Sequence, residues 1–276
     1  MTTSTMQLLP RRENQSHRRR KRQASPSALT PADMQLRRSL HILASNAVSA
    51  SDLRVELPPE DVVRIRNLVS RATQRAVFKM TSIKLARVVQ CESILESDVV
   101  LRLDSNPGVT SYAEQPVRIH YLMDGVWRSH IPDFVLLSGD QLIVIEVKYE
   151  KDVDDEVRER TRWMEGALAR LGVEYRLLTE MHIRQGDAVQ NALRLLRRAR
   201  HPASDEHLLQ AYDVLRQAGN LPLSAFGWHL PDSLNAICIA QLVVRGRAMV
   251  EKNAPLTGES MVWPIEDKGQ GQGVSW

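Results

Sequence analysis

Along the chain, apolar residues first recur at helical spacing, then alternate in short strand-like runs, then return to helical spacing. Thr30 followed by Pro31 reads as an N-cap and first helical position, opening a helix through about Val48. A second helix is expected from "PPEDVVRIRNLVSRATQRA", where Val62, Ile65, Leu68, Val69 and Ala72 recur on one side and Arg64, Arg66, Arg71 and Arg75 take the more exposed faces. The period is helical again from Val88 to Leu103, and Asn106-Pro107-Gly108 stops it. Val109–Tyr112, Val117–Leu122 and Trp127–His130 then read as short strands separated by turn signals such as Asp124-Gly125, which predicts antiparallel hairpins. "HIPDFVLLSGDQLIVIEVKYE", His130 to Glu150, completes that sheet. After it "KDVDDEVRERTRWMEGALARLGV" forms a crossover helix, with Val153, Val157, Met164 and Leu168 toward the sheet and Gly172 near its end, and "EYRLLTE" adds a strand. Beyond about Met181, "DAVQNALRLLRRAR", "SDEHLLQAYDVLRQAG" and "PDSLNAICIAQLVVRG" give three helices, followed by a small hairpin around Pro255, Thr257 and Gly258.

One hairpin breaks its own apolar pattern with charge. If Gly139-Asp140 is a two-residue loop with glycine first, as a type II′ turn prefers, Ser138 faces Gln141 and counting outward pairs Asp133 with Glu146. Directly opposed residues share a sheet face about 4.5–5.5 Å apart, and Lys148 joins them because strand side chains alternate. Ile145 and Val147 point the other way. Two carboxylates so close raise at least one pKa unless a cation neutralises them, and a divalent metal does so. In "QCESILESDVVLRL", Glu92 and Glu96 are expected four apart on one helical face, where like charges are mildly destabilising and invite a cation or basic neighbour. Taken singly, each feature also fits a bland reading: a surface helix with two glutamates, and a structural Glu146–Lys148 pair at a strand end.

Composition narrows the class. A chain of 276 residues with 43% hydrophobic content supports two modest domains. No apolar run approaches the roughly 20 residues of a membrane span and no secretory signal is visible, so a cytoplasmic protein without a membrane partner is expected. Cys91 and Cys238 are too few for a disulfide framework and lack zinc-site spacing; small buried thiols are expected. The net charge is only +4, but basic residues cluster in "RRENQSHRRRKR", Arg11 to Arg22, and in "LRLLRRAR", Leu193 to Arg200. Polyanions are plausible partners, although the second run equally fits a solvated helix face. Residues 1–30, rich in Ser, Thr, Pro and Arg, are expected to be a disordered basic arm whose Arg18, Arg19, Arg20, Lys21 and Arg22 contact nucleic acid, together with Lys84 and Arg87.

Asp133, then "EVK" at the end of an apolar strand, preceded by a helix bearing a glutamate, resembles the PD-(D/E)xK nuclease superfamily. "SIKLARVVQCESILE", "YAEQPVRIHY", "IPDFVLL" and "LIVIEVK", in that order from about Ser82 to Glu150, further resemble the TnsA endonuclease subunit of heteromeric transposases. The resemblance implies an α/β fold, a restriction-endonuclease-like core over 31–180 with its helical lead-in. Residues 181–266 read as a winged-helix-like C-terminal domain and 267–276 as a flexible tail. It places the helical metal-site acid at Glu96, with Glu92 the second choice, the metal-bridging aspartate at Asp133, and the acid-x-lysine pair at Glu146 and Lys148. Gln115, in "EQP", reaches or braces the site. Some relatives carry glutamine at the position of Glu146. One or two Mg²⁺ ions, with Mn²⁺ able to substitute, and DNA at transposon ends are implied, as are a DDE-type transposase subunit TnsB and an AAA+ regulator TnsC. A restriction, repair or phage nuclease on the same core, or a catalytically silent assembly subunit, remain alternatives. The helix Asp232–Arg245, in the recognition position of a winged helix, is apolar and offers few base-reading groups, which favours partner or flank binding over base readout.

Overall fold

The computed structural model describes residues 29–65, 77–251 and 254–265. Helix α1, Pro31–Ala47, starts as its sequence dictates: Thr30 Oγ1 accepts from Asp33 N, and the Asp33 carboxylate accepts in return from Thr30 N at 3.0 Å. Three strands the periodicity did not reveal follow or flank it: β1 (Leu53–Glu56), β2 (Phe78–Ser82) and β3 (Arg87–Cys91). The expected helix from Pro58 is not seen in residues 58–65, which are irregular, and its remainder lies outside the described residues. Val88–Cys91, expected to open a helix, forms strand β3 instead, paired antiparallel with β2. The helix proper, α2, runs Ile94–Ser105 with Ser93 as N-cap and Asn106 as C-cap, so Glu92 precedes it and does not share a helical face with Glu96.

The strands β4 (Ser111–Glu114), β5 (Arg118–Met123), β6 (Val126–His130), β7 (Phe134–Ser138) and β8 (Gln141–Val147) match the expected hairpins but divide between two sheets rather than completing one. One sheet has the order β1-β5-β6, with β5 and β6 joined through Asp124 (φ 53) and Gly125 (φ 75), the paired left-handed residues of a type I′ turn. After helix α3 (Asp155–Ala169), strand β9 (Glu174–Leu178) runs parallel to β8 and completes the second sheet, β4-β7-β8-β9. The turn between β7 and β8 places Gly139 at φ 58, and Ser138 faces Gln141 as expected. One face of this sheet packs Val135, Leu137, Leu142 and Val144 against leucines of α1 and Met164 and Leu168 of α3; the other packs Phe134, Leu136, Ile143 and Ile145 against α2. Leu36, Leu40 and Leu43 of α1 are almost fully buried. At about 1.5–3 kcal/mol each, their burial decides the docking of α1.

Helix α4 (Glu180–Ile183) leads into α5 (Ala188–Ala199), α6 (Asp205–Ala218), β10 (Leu221–Pro222), α7 (Leu234–Val244), β11 (Ala248–Val250) and β12 (Met261–Pro264). The last strands form a small sheet in the order β10-β12-β11. Every residue of α7 from Ala236 to Val244 is buried, so this apolar helix forms the centre of the core it shares with α5 and α6. That core also takes in Leu101 of α2, with Met80 and Ile83 packed against it. Cys91 and Cys238 are buried free thiols. Among the described residues no helix is long and apolar enough to cross a membrane.

Candidate active site

The β7–β8 register pairs Phe134 with Ile145, and one further step sets Asp133 opposite Glu146. Asp133 Oδ2 accepts a hydrogen bond from Val147 N at 2.7 Å, which locks the aspartate across the strand ends. Glu146, 3% exposed, is ringed by basic side chains: Lys148 Nζ and Arg160 Nη2 lie 3.4 and 3.5 Å from Oε1, and His130 Nε2 lies 2.9 Å from Oε2. Burial pushes the Glu146 carboxyl up, but His130, Lys148 and Arg160 outweigh it and hold the group below the ordinary carboxylate range. Asp133 behaves oppositely. Burial, then Glu146 and Glu96, drive its pKa well above the usual value against the Val147 amide and Lys148. The pair is therefore polarised, with charge favoured on Glu146 and resisted on Asp133 until a further cation arrives.

Glu96 enters from the first turn of α2. Ser93 Oγ accepts from Glu96 N at 3.1 Å and donates to Glu96 Oε1 at 2.9 Å, while Glu92 N donates to Glu96 Oε2 at 2.8 Å. The carboxylate thus closes the helix N-terminus while also lying near the aspartate. Burial first, with Glu92 and Glu146 adding to it, raises its pKa. Glu92 instead receives Gln115 Nε2 at 2.9 Å. Gln115 holds φ 46, unusual outside glycine, and its backbone N donates to Asp133 O at 2.9 Å. Its Oε1 is buried with no hydrogen-bond partner. That backbone conformation costs about 1–3 kcal/mol, and the buried acceptor adds to the cost.

These groups line a cavity of about 360 Å³ that takes in Glu92, Glu96, Gln115, His130, Asp133 and Lys148. Among the described residues no three His, Cys, Asp or Glu side chains already converge as a ligand set. The donor chemistry nevertheless fits a hard divalent cation: carboxylate oxygens of Asp133, Glu146 and Glu96, with the unpartnered Gln115 carbonyl beside them.

Two expected nucleic-acid contacts are turned inward. Lys84 Nζ is buried and donates to Asn106 O and Val109 O at 2.6 and 2.5 Å. Arg87 bridges Asp33 and Glu114, each at 2.9 Å, and fastens α1 to β4. Both are structural ties because each spends its charge on carbonyl or carboxylate partners in the interior. Arg18, Arg19, Arg20, Lys21 and Arg22 lie outside the described residues. Sequence reasoning missed His130 and Arg160. His130 gave no signal, since its approach to Glu146 depends on how two sheets meet. Arg160 did: it stands three residues after Val157 and four before Met164, a charge interrupting the buried stripe of α3.

Among curated proteins no match is found. Among solved structures, the crystal structure of protein VC1899 from Vibrio cholerae is similar at 13% identity and a TM-score of 0.24, covering 78% of this chain and 53% of that one. This chain thus spans about half the length of that protein, and at that TM-score the likeness is too slight to assign a fold. The stretch from the C-cap of α2 through β9 is different: residues 106–180, which carry Asp133, Glu146 and Lys148, match the family model described as TnsA-like endonuclease N terminal, and this part of the chain is similar to a TnsA-like nuclease domain.

Proposed function

We propose that the protein is a metal-dependent DNA endonuclease of the TnsA type, hydrolysing a phosphodiester bond at transposon ends on the strand opposite the one a separate transposase processes. The observation that carries this reading is the polarised Asp133–Glu146 pair with Lys148 beside it in a cavity, within the stretch similar to the TnsA-like domain. Supporting it, β4-β7-β8 are antiparallel with β9 added in parallel, between α2 and α3, as a PD-(D/E)xK core requires.

Phosphodiester hydrolysis needs on the order of 20 kcal/mol removed from its barrier. Glu96, Asp133 and Glu146 would hold one or two Mg²⁺ ions, which when bound supply charge stabilisation and an acidified water. Lys148, half-exposed at the cavity edge, orients the attacking water and balances charge developing on the phosphate. Gln115 offers its free carbonyl to that water, and the buried floor of Ile145 and Val147 keeps the strand ends rigid. Cleavage site choice is supplied by partners, a DDE-type transposase such as TnsB and an AAA+ ATPase such as TnsC, acting in the cytoplasm. The C-terminal order α6, β10, a short helical turn at 223–226, α7, β11, loop and β12, with sheet order β10-β12-β11, supports a winged helix there. With Ala236–Val244 of α7 buried, the outer surfaces of this region rather than that helix would meet partners.

The test is nicking of a transposon-end duplex by the assembled transposase. Cutting should require Mg²⁺ or Mn²⁺, be inhibited by Ca²⁺, and vanish in EDTA; robust cutting in EDTA by nuclease-free protein would overturn the reading.

A further inference from the structure

Glu146 has three basic side chains within 3.5 Å of its carboxylate, Lys148, His130 and Arg160. Lys148 and His130 line the cavity and belong to the face where substrate would enter. Arg160 does not. It comes from α3, behind the sheet end, is 17% exposed, and places Nη2 3.5 Å from Glu146 Oε1. Its Nε is buried with no hydrogen-bond partner. Arg160 is held at charge-pairing distance from Glu146 with its Nε donor unspent, in a setting where each buried polar group left unmatched is costly.

The carboxylates explain why such a cation is useful. Asp133 stands opposite Glu146 and Glu96 lines the same cavity, so three carboxylates share one site where a nearby cation offsets their repulsion. We propose that Arg160 is a positioning residue that acts as a placeholder cation, holding the Glu146 carboxylate in place while no metal is bound and ceding that role when metal arrives. The inference rests on the metal-site reading above and deepens it. It predicts an asymmetry that a packing role does not: losing Arg160 harms the metal-free protein more than the metal-bound one, because the metal then supplies the missing positive charge.

Thermal unfolding of full-length wild type, Arg160→Gln, Arg160→Lys, Glu146→Gln and the Arg160→Gln/Glu146→Gln double variant, each in EDTA and in Mn²⁺, tests it. Arg160→Gln should melt a few degrees below wild type in EDTA and show a larger upward shift with Mn²⁺ than wild type does. In the Glu146→Gln background the same substitution should cost little, and Arg160→Lys, which keeps the charge, should follow wild type. Equal losses from Arg160→Gln with and without Glu146, or an Mn²⁺ shift no larger than that of wild type, would overturn the role of Arg160 alone. If Mn²⁺ shifts neither wild type nor Arg160→Lys, the metal-site reading fails and this inference falls with it.

Discussion

Glu96 caps α2 and, in the function proposed above, also holds metal, so a single substitution confounds the two. Glu96→Ala should abolish cutting, but it also removes the acceptor for Ser93 Oγ and Glu92 N, at a cost of about 1 kcal/mol in helix stability. Glu96→Gln keeps an acceptor and should lose cleavage with little change in melting temperature, whereas Glu92→Ala should reduce cutting only modestly. Strand cleavage and melting measured side by side decide this, and full activity of Glu96→Gln with loss in Glu92→Ala would move the metal-site acid to Glu92. Lys84 gives a prediction of another kind. Burial depresses its pKa to about 7, against a smaller upward pull from Asp104. The unfolded chain therefore binds the proton more readily than the folded one between about pH 7 and the ordinary lysine range. Stability contributed at this position should rise as pH increases through that window, and the melting difference between wild type and Lys84→Met should grow in favour of wild type from pH 7 to 10. At this scale the Asp133–Glu146 pairing was legible, because a two-residue turn fixes register by counting. The contacts of His130 and Arg160 were not, because they depend on how separate elements pack.

The elements show where periodicity misleads. Val88–Cys91 is too short a run to distinguish strand from helix, and its continuation into a true helix made the whole look helical. The corrective signal was present in Ser93-x-x-Glu96, a capping pattern that sets the helix start after Cys91. The division of the strands into two sheets was invisible for a different reason: β1, which recruits β5 and β6, is four residues long and carries Arg54 and Glu56 on its exposed side. The helical lead-in is tied down by Arg87 between Asp33 and Glu114. Arg87→Ala would leave two buried carboxylates without their partner and should cost about 3–5 kcal/mol, read as a drop in denaturant midpoint at unchanged slope. An unchanged midpoint would show that α1 is held by its leucines alone.

At the scale of the whole molecule, charge and packing make separate demands. Arg11, Arg12, Arg18, Arg19, Arg20, Lys21 and Arg22 lie in a segment whose composition gives little to bury. A chain starting at Thr30 should bind DNA less tightly, with a shallower dependence of affinity on salt and the same cleavage position, since phosphate contacts carry no base information. Matching salt slopes for both chains would assign the arm another purpose. The change to helical patterns after about Met181 reads as the start of a second unit. It could not reveal that the unit's core reaches back across the chain, because Met80, Ile83 and Leu101 read as ordinary interior residues of the first.

Helix α2 is shared in this way: Leu95, Val99 and Leu103 fill one core while Leu101 enters the other. A strut embedded in two interiors makes their melting cooperative. Calorimetry should record one endotherm whose van't Hoff and calorimetric enthalpies agree, and a protease should find no clean cut that releases an intact nuclease half.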